Sequence, residues 1–170
     1  MIKALAAVLI AAAFAFGGRF LASLDSERVA CIREILLMIN IIETRLRFSA
    51  TPVVELLTLI EDSGSCNRLG FVKKCRLAVE NGDSFNGAWR KSIEECRAFC
   101  KLLPEESKKL IAMGGDIGVT DIEGQLSCCG YYKKLFDNSL VEKEDKSKHS
   151  SKLFPPLGVL LGISAAIFLV

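Results

Sequence analysis

The chain has 170 residues, 51% of them hydrophobic, with 22 Lys and Arg against 20 Asp and Glu for a formal net charge of +2. Once Lys3 and Arg19 are set aside, the basic residues all fall within Asp25 to Lys152 and equal the acids in number, so no basic field argues for a nucleic-acid partner. Subtracting two apolar ends leaves about 125 residues, room for one domain with its own core and none for a second.

Ala4 to Gly18 carries no ionisable side chain, and Arg19 is followed by another apolar patch, Phe20 to Leu24. An apolar helix of about 18 or more residues crosses the hydrocarbon core, and residues 1–24 are expected to form a retained transmembrane anchor. The rival reading is a secretory signal peptide with Lys3 as its basic region and Ala13-Phe14-Ala15 as its cleavage site. A single lysine makes a poor basic region, and the amphipathic pattern resumes at once after Arg19, which favours the anchor.

From Ser26 to Arg47, apolar residues at Val29, Ile32, Ile35, Leu36, Ile39, Ile42 and Leu46 recur at steps of three and four, the stripe of an amphipathic helix. Arg33, Glu34, Arg45 and Arg47 are expected on its other side. Thr51-Pro52 reads as an N-cap followed by proline at the first helical position, opening a short helix from Pro52 to Glu61. After the turn cluster Asp62-Ser63-Gly64-Ser65, a third helix runs from about Asn67 to Asn81-Gly82, where glycine supplies a left-handed terminus. A fourth begins after Ser84 or Asn86, with Trp89, Ile93, Cys96 and Cys100 on one side. Pro104 opens a fifth, expected to fade at Gly114-Gly115-Asp116-Ile117-Gly118. This corner lacks the preceding strand and the Lys-Ser or Lys-Thr pair of a phosphate loop.

Thr120-x-x-Glu123 reads as a capping box that starts the longest helix, with Ile122, Leu126, Cys129, Tyr132, Phe136 and Leu140 along its inner face. Glu142 to Lys152 is a polar stem, and Leu153 to Val170 is uncharged throughout, an expected second transmembrane helix over 153–170. The expected fold is all-α, a bundle of about six helices over residues 25–152 between the two spans. Gly158 and Gly162 form a Gly-x-x-x-Gly pair of the kind that lets membrane helices approach. Arg19, Arg28, Arg33, Lys143, Lys146, Lys148 and Lys152 flank the spans on the domain side. By the positive-inside rule they place the domain in the cytoplasm and both termini across the membrane.

The inventory argues against catalysis. His149 is the sole histidine and lies in the polar stem, so a Cys-His or Ser-His-Asp arrangement would have to assemble there. Cys96 and Cys100 would need two further ligands to hold zinc, and Cys128-Cys129 diverge by about 100° on a helix. None of Cys31, Cys66, Cys75, Cys96, Cys100, Cys128 and Cys129 forms a Cys-x-x-Cys redox pair. In a reducing compartment all seven would be plain thiols. No cofactor, metal or small-molecule substrate is expected. A membrane-tethered helical module acts by contact, and it could equally be an adaptor or regulator for some cytoplasmic protein. A thiol enzyme or sensor is the third reading.

Gly114-x-x-Ile117-Gly118-x-x-Asp121-x-x-x-Gln125, followed by Leu157-Gly158-Val159-Leu160-Leu161-Gly162, resembles the paired signatures of the stage III sporulation protein AB family of endospore-forming bacteria. Thr51-Pro52 and Trp89 fit the same pattern, and the likeness covers most of the chain. It departs at Pro155-Pro156, which would interrupt a stem running into the last span, and in its cysteine content. The resemblance implies a mother-cell membrane protein of the channel complex joining mother cell to forespore, similar to the helical cytoplasmic domain of the type II secretion platform protein. It further implies a non-enzymatic role, with a secretion-type ATPase, membrane and ring-forming channel proteins and the lipid bilayer as partners. By the same resemblance, Thr51, Pro52, Trp89, Gly114, Gly118, Asp121, Gln125, Gly158 and Gly162 are the motif residues. The corner residues are expected to be structurally necessary rather than contacts, with Gly118 permitting a backbone conformation or close approach that a side chain forbids, Asp121 capping the last helix, and Gln125 extending its polar network.

Overall fold

The computed structural model describes residues 23–49, 51–117 and 119–145. Its elements are α1 (Ile2–Phe48), α2 (Val53–Asp62), α3 (Gly70–Glu80), α4 (Phe85–Cys96), α5 (Pro104–Asp116) and α6 (Ile122–Leu169), with no strand among the described residues. The chain divides into one unit of Met1–Glu27 with Val141–Val170 and a second of Arg28–Leu140. Among the described residues no helix is long and apolar enough to cross a membrane. The expected spans lie outside those residues except for Ser23 and Leu24, and so do Gly158, Gly162 and Pro155-Pro156.

The second unit is organised around the α1 stripe. Val29, Ile32, Ile35, Leu36, Ile39 and Ile42 are buried, joined by Cys31 and Met38, while Leu46 is half-buried. Leu56, Leu57 and Ile60 of α2, Phe71, Val72 and Cys75 of α3, Trp89 and Ile93 of α4, Leu110 and Met113 of α5, and Cys129, Tyr132 and Phe136 of α6 complete one core. Neighbours joined by short turns pack in sequence, α2 on α3, α3 on α4 and α4 on α5. Polar ties fix the rest: Lys133 Nζ of α6 donates to Asn40 Oδ1 of α1 at 2.6 Å, and Lys109 Nζ of α5 to Ser139 Oγ of α6 at 3.2 Å.

Several boundaries differ from those expected, each for a local reason. Pro52, with φ −57° and ψ 147°, is itself the N-cap of α2, its carbonyl accepting from the Leu56 amide at 2.9 Å. The Thr51 hydroxyl instead bonds Ser49 Oγ at 2.7 Å. Asn67 does not start α3; its side chain donates to the Gly64 carbonyl at 2.8 Å and closes the turn, in which Gly64 has φ +64°. Gly82, with φ +98°, supplies the left-handed residue after α3. Ser84 caps α4 by accepting from the Gly87 amide at 3.4 Å, and Cys100 lies beyond that helix. The first turn of α5 is closed by Glu106, whose Oε2 accepts from the Leu103 amide at 2.7 Å.

Glu34 overturns the expectation that it sits on the solvent side of α1. It is 7% exposed, because the turn before α3 folds over it. Its carboxylate accepts from the Arg68 amide at 2.7 Å and from Arg68 Nη1 at 2.6 Å, and the Cys66 thiol donates to the Glu34 carbonyl at 3.6 Å. A carboxylate that satisfies a backbone amide in a buried setting is costly to remove, because the donor is left without a partner. Glu34→Ala should lower stability by about 1–3 kcal/mol in chemical denaturation of the purified chain. Arg68→Ala should cost under about 1 kcal/mol, since its guanidinium is largely exposed and the amide bond survives.

Candidate functional site

Of the motif residues that fall among the described ones, Gly114, Asp121 and Gln125 flank the turn from α5 to α6, with Trp89 packed on Gly114. Trp89 is 1% exposed. Its ring meets Phe71 edge-on at 5.2 Å and 88°, and Phe85 at 5.5 Å, an arrangement favoured by the ring quadrupoles. The indole N–H would be costly to bury alone. Nε1 donates to the Leu110 carbonyl at 2.8 Å, an oxygen that the α-helical ladder also offers to the amide four residues on, Gly114. To reach that carbonyl the indole must lie flat on the backbone at Gly114. A Cβ there would stand 2.6 Å from Trp89 Cγ and nearer still to Cδ1 and Nε1.

Gly114 is therefore a packing residue inside α5. The helix does not fade there as the run of glycines suggests, but continues to Asp116. Gly115, one position on, faces open space. The helix ends where Ile117 turns extended, φ −71° and ψ 131°, with its side chain 5% exposed in the core. Gly118 lies outside the described residues.

The start of α6 is built on Asp121, with no part for the expected Thr120 capping box. Asp121 Oδ1 accepts from the Gly124 amide at 2.9 Å, and its carbonyl accepts from the Gln125 amide at 2.9 Å, the pattern of an N-cap. Gln125 Nε2 reaches back to the Thr120 carbonyl at 2.9 Å, so Gln125 extends the polar network as the resemblance implies. Gly124 was not among the expected residues. A Cβ on it would meet Thr120 Oγ1 at 2.6 Å, Thr120 Cβ at 2.8 Å and Asp121 Oδ1 at 2.9 Å. The Asp-x-x-Gly spacing was the available signal, since the cap needs an unobstructed third amide.

A third tie closes the corner. Tyr132 of α6 donates its hydroxyl to Asp116 Oδ2 at the end of α5, at 2.8 Å. Burial first, and then the Asp116 carboxylate, raise the phenol above its ordinary range, so it stays a donor at physiological pH. Asp116, Val119, Thr120, Gly124, Ser127, Cys128, Tyr131 and Tyr132 line an open depression of about 440 Å³. Val119 is 71% and Tyr131 59% exposed beside it, and Ile122, expected on the inner face, is 48% exposed. Thr51 and Pro52 make only local hydrogen bonds, at the α1–α2 turn. Among the described residues no group of three His, Cys, Asp or Glu side chains could hold a metal ion.

The family described as Stage III sporulation protein AB matches residues 3–170, so the match spans the corner, Trp89 and both ends. No curated protein and no solved structure matches.

Two substitutions in one helix separate the packing role of Gly114 from ordinary helix propensity. Gly114→Ala should destabilise by about 1–3 kcal/mol through the clash with the indole. Gly115→Ala should be neutral or stabilise by up to about 1 kcal/mol. Thermal melts of the two variants against the parent chain check both. Asp121→Ala should cost about 1 kcal/mol as a lost cap, read in the same melts.

Proposed function

The chain belongs to the stage III sporulation protein AB family, and on that premise we propose that it is a membrane platform component of the channel complex between mother cell and forespore. In this role it catalyses nothing. Two spans hold it in the mother-cell membrane, and the helical domain lies in the cytoplasm, where it docks the complex's secretion-type ATPase. It passes nucleotide-driven motion to the membrane-embedded and ring-forming components.

The family is a sporulation family, which supports the setting. The sidedness is supported by basic residues on the domain side of both apolar ends, Arg28 and Arg33 after the first, Lys143, Lys146, Lys148 and Lys152 before the second. What carries the docking role is the corner. Trp89 on Gly114 and Tyr132 on Asp116 hold the end of α5, and Asp121 holds the first amides of α6, while Val119 and Tyr131 stand exposed around the depression. Helix ends held in this way, with apolar and aromatic side chains open to solvent, are suited to contact, because little conformational entropy is lost when a partner covers them.

Affinity purification of the tagged full chain from sporulating cells tests this reading. The parent should recover the secretion-type ATPase. The double variant Val119→Asp and Tyr131→Ala should recover at least about tenfold less, with a melting temperature close to the parent's, since both side chains are surface positions. Undiminished recovery with the double variant would remove the corner as the dock. Recovery by the parent of a different stoichiometric protein, without the ATPase, would overturn the platform role.

A further inference from the structure

Folding assembles what the cysteine spacing does not suggest. Cys31 of α1 and Cys100, 69 positions on in the turn between α4 and α5, are brought to one place in the core: Lys101, next to Cys100, is held by Arg28, and the Cys100 thiol bonds Arg68, whose amide is held by Glu34, so Cys100 lies against the turn of α1 that carries Cys31. Cys31 and Cys100 are 1% and 3% exposed. Cys100 also sits at the amino end of α3, where the Gly70 amide points at its sulfur, and as a thiol it donates to the Arg68 carbonyl at 3.1 Å. An amide and a helix amino terminus both favour a thiolate. The neighbouring Cys31 thiol is the largest influence holding the Cys100 thiol below its ordinary range, and the Gly70 amide acts in the same direction. Cys31 is pushed up by Cys100 and by burial.

The other core thiols have no such surroundings. Burial pushes Cys66 and Cys129 up to about 11 and Cys75 up to about 12, which leaves them protonated and inert. The two backbones that carry the pair are also tied to each other. Arg28 Nε, one turn before Cys31, donates to the Lys101 carbonyl at 3.0 Å. Lys101 itself has φ +54°, a conformation unusual for a residue with a side chain, and Phe99 on the same turn is 77% exposed. A small oxidant would reach the sulfurs by local opening of this turn.

We propose that Cys31 and Cys100 are a peroxide-responsive thiol pair that closes to a disulfide and fastens the α4–α5 turn to α1. The Cys100 thiolate attacks one oxygen of the hydroperoxide, the O–O bond breaks, and the leaving alkoxide or hydroxide takes up the proton that Cys100 released. Cys100 is then a sulfenic acid. The Cys31 sulfur attacks the Cys100 sulfur, the S–O bond breaks, and the hydroxide departs with the Cys31 proton as water. Two electrons pass from the sulfur pair to the peroxide, and a thiol reductant reverses the change. This pairing does not depend on the platform role, so either can fail without the other.

The test is peroxide treatment of the full chain in membranes, alkylation of the remaining thiols, and tryptic mapping without reduction. Trypsin releases Cys31 in Val29–Arg33, Cys100 in Ala98–Lys101 and Cys96 separately in Ser92–Arg97. The expected product is Val29–Arg33 joined to Ala98–Lys101, lighter by two hydrogens than the two peptides together and lost on reduction with dithiothreitol. The oxidised chain should melt about 5 °C higher or more, because the link closes a long loop. In Cys31→Ser, Cys100 should accumulate as a sulfenic acid that dimedone traps. Full alkylation of both cysteines in the peroxide-treated parent, or Cys100 linked instead to Cys96 or another thiol, would overturn the proposal.

Discussion

The second unit depends on one contact, the indole N–H of Trp89 on the Leu110 carbonyl across a bare Gly114 backbone. An indole is the largest side chain available to a core, and it carries a donor that burial makes expensive to leave unpaired. Directing that donor at a carbonyl inside a helix leaves only one residue type possible one turn later. The consequence runs in both directions along α5. The helix keeps its register through two consecutive glycines that would otherwise weaken it, and it delivers Asp116 and Ile117 to fixed places, the first to meet Tyr132, the second to enter the core. From there the chain turns into α6, whose first amides Asp121 holds.

At the corner the side chains of Asp116, Asp121, Gln125 and Tyr132 are spent on neighbours, carboxylate on phenol, carboxylate on amide, carboxamide on carbonyl. Of its large apolar and aromatic side chains, Val119, Ile122 and Tyr131 are open to solvent. The chain's family is a sporulation family, and the contact role proposed for it rests on these exposed side chains. The thiol pair, at the opposite end of α5, adds a covalent means of altering the turn that precedes that helix.

Much of the helical architecture was legible in the sequence, because apolar spacing of three and four reports a helix face directly. The α1 stripe from Val29 to Ile42 is buried as that spacing predicts. What escaped was set by partners distant in sequence. Glu34 looks like a surface charge until the turn at Arg68 closes over it, and Cys31 looks like a core filler until Cys100 arrives beside it. At the corner, Trp89, Gly114, Asp121 and Gln125 were legible as a motif, but two glycines in a row read equally well as a helix breaker. Only the indole shows which of them is needed and why. Asp121 and Thr120 compete for the same cap in any local reading, and Gly124, free of a Cβ, decides for Asp121.

Since Trp89 is the chain's single tryptophan, its indole N–H gives one resolved signal, and its exchange with deuterated water tests the central contact most directly. If the indole is locked onto Leu110 through Gly114, that proton should persist alongside the most protected core amides, exchanging only when the unit opens as a whole. Exchange on the timescale of exposed amides, in a chain whose core amides remain protected, would contradict the contact and with it the structural basis of the corner.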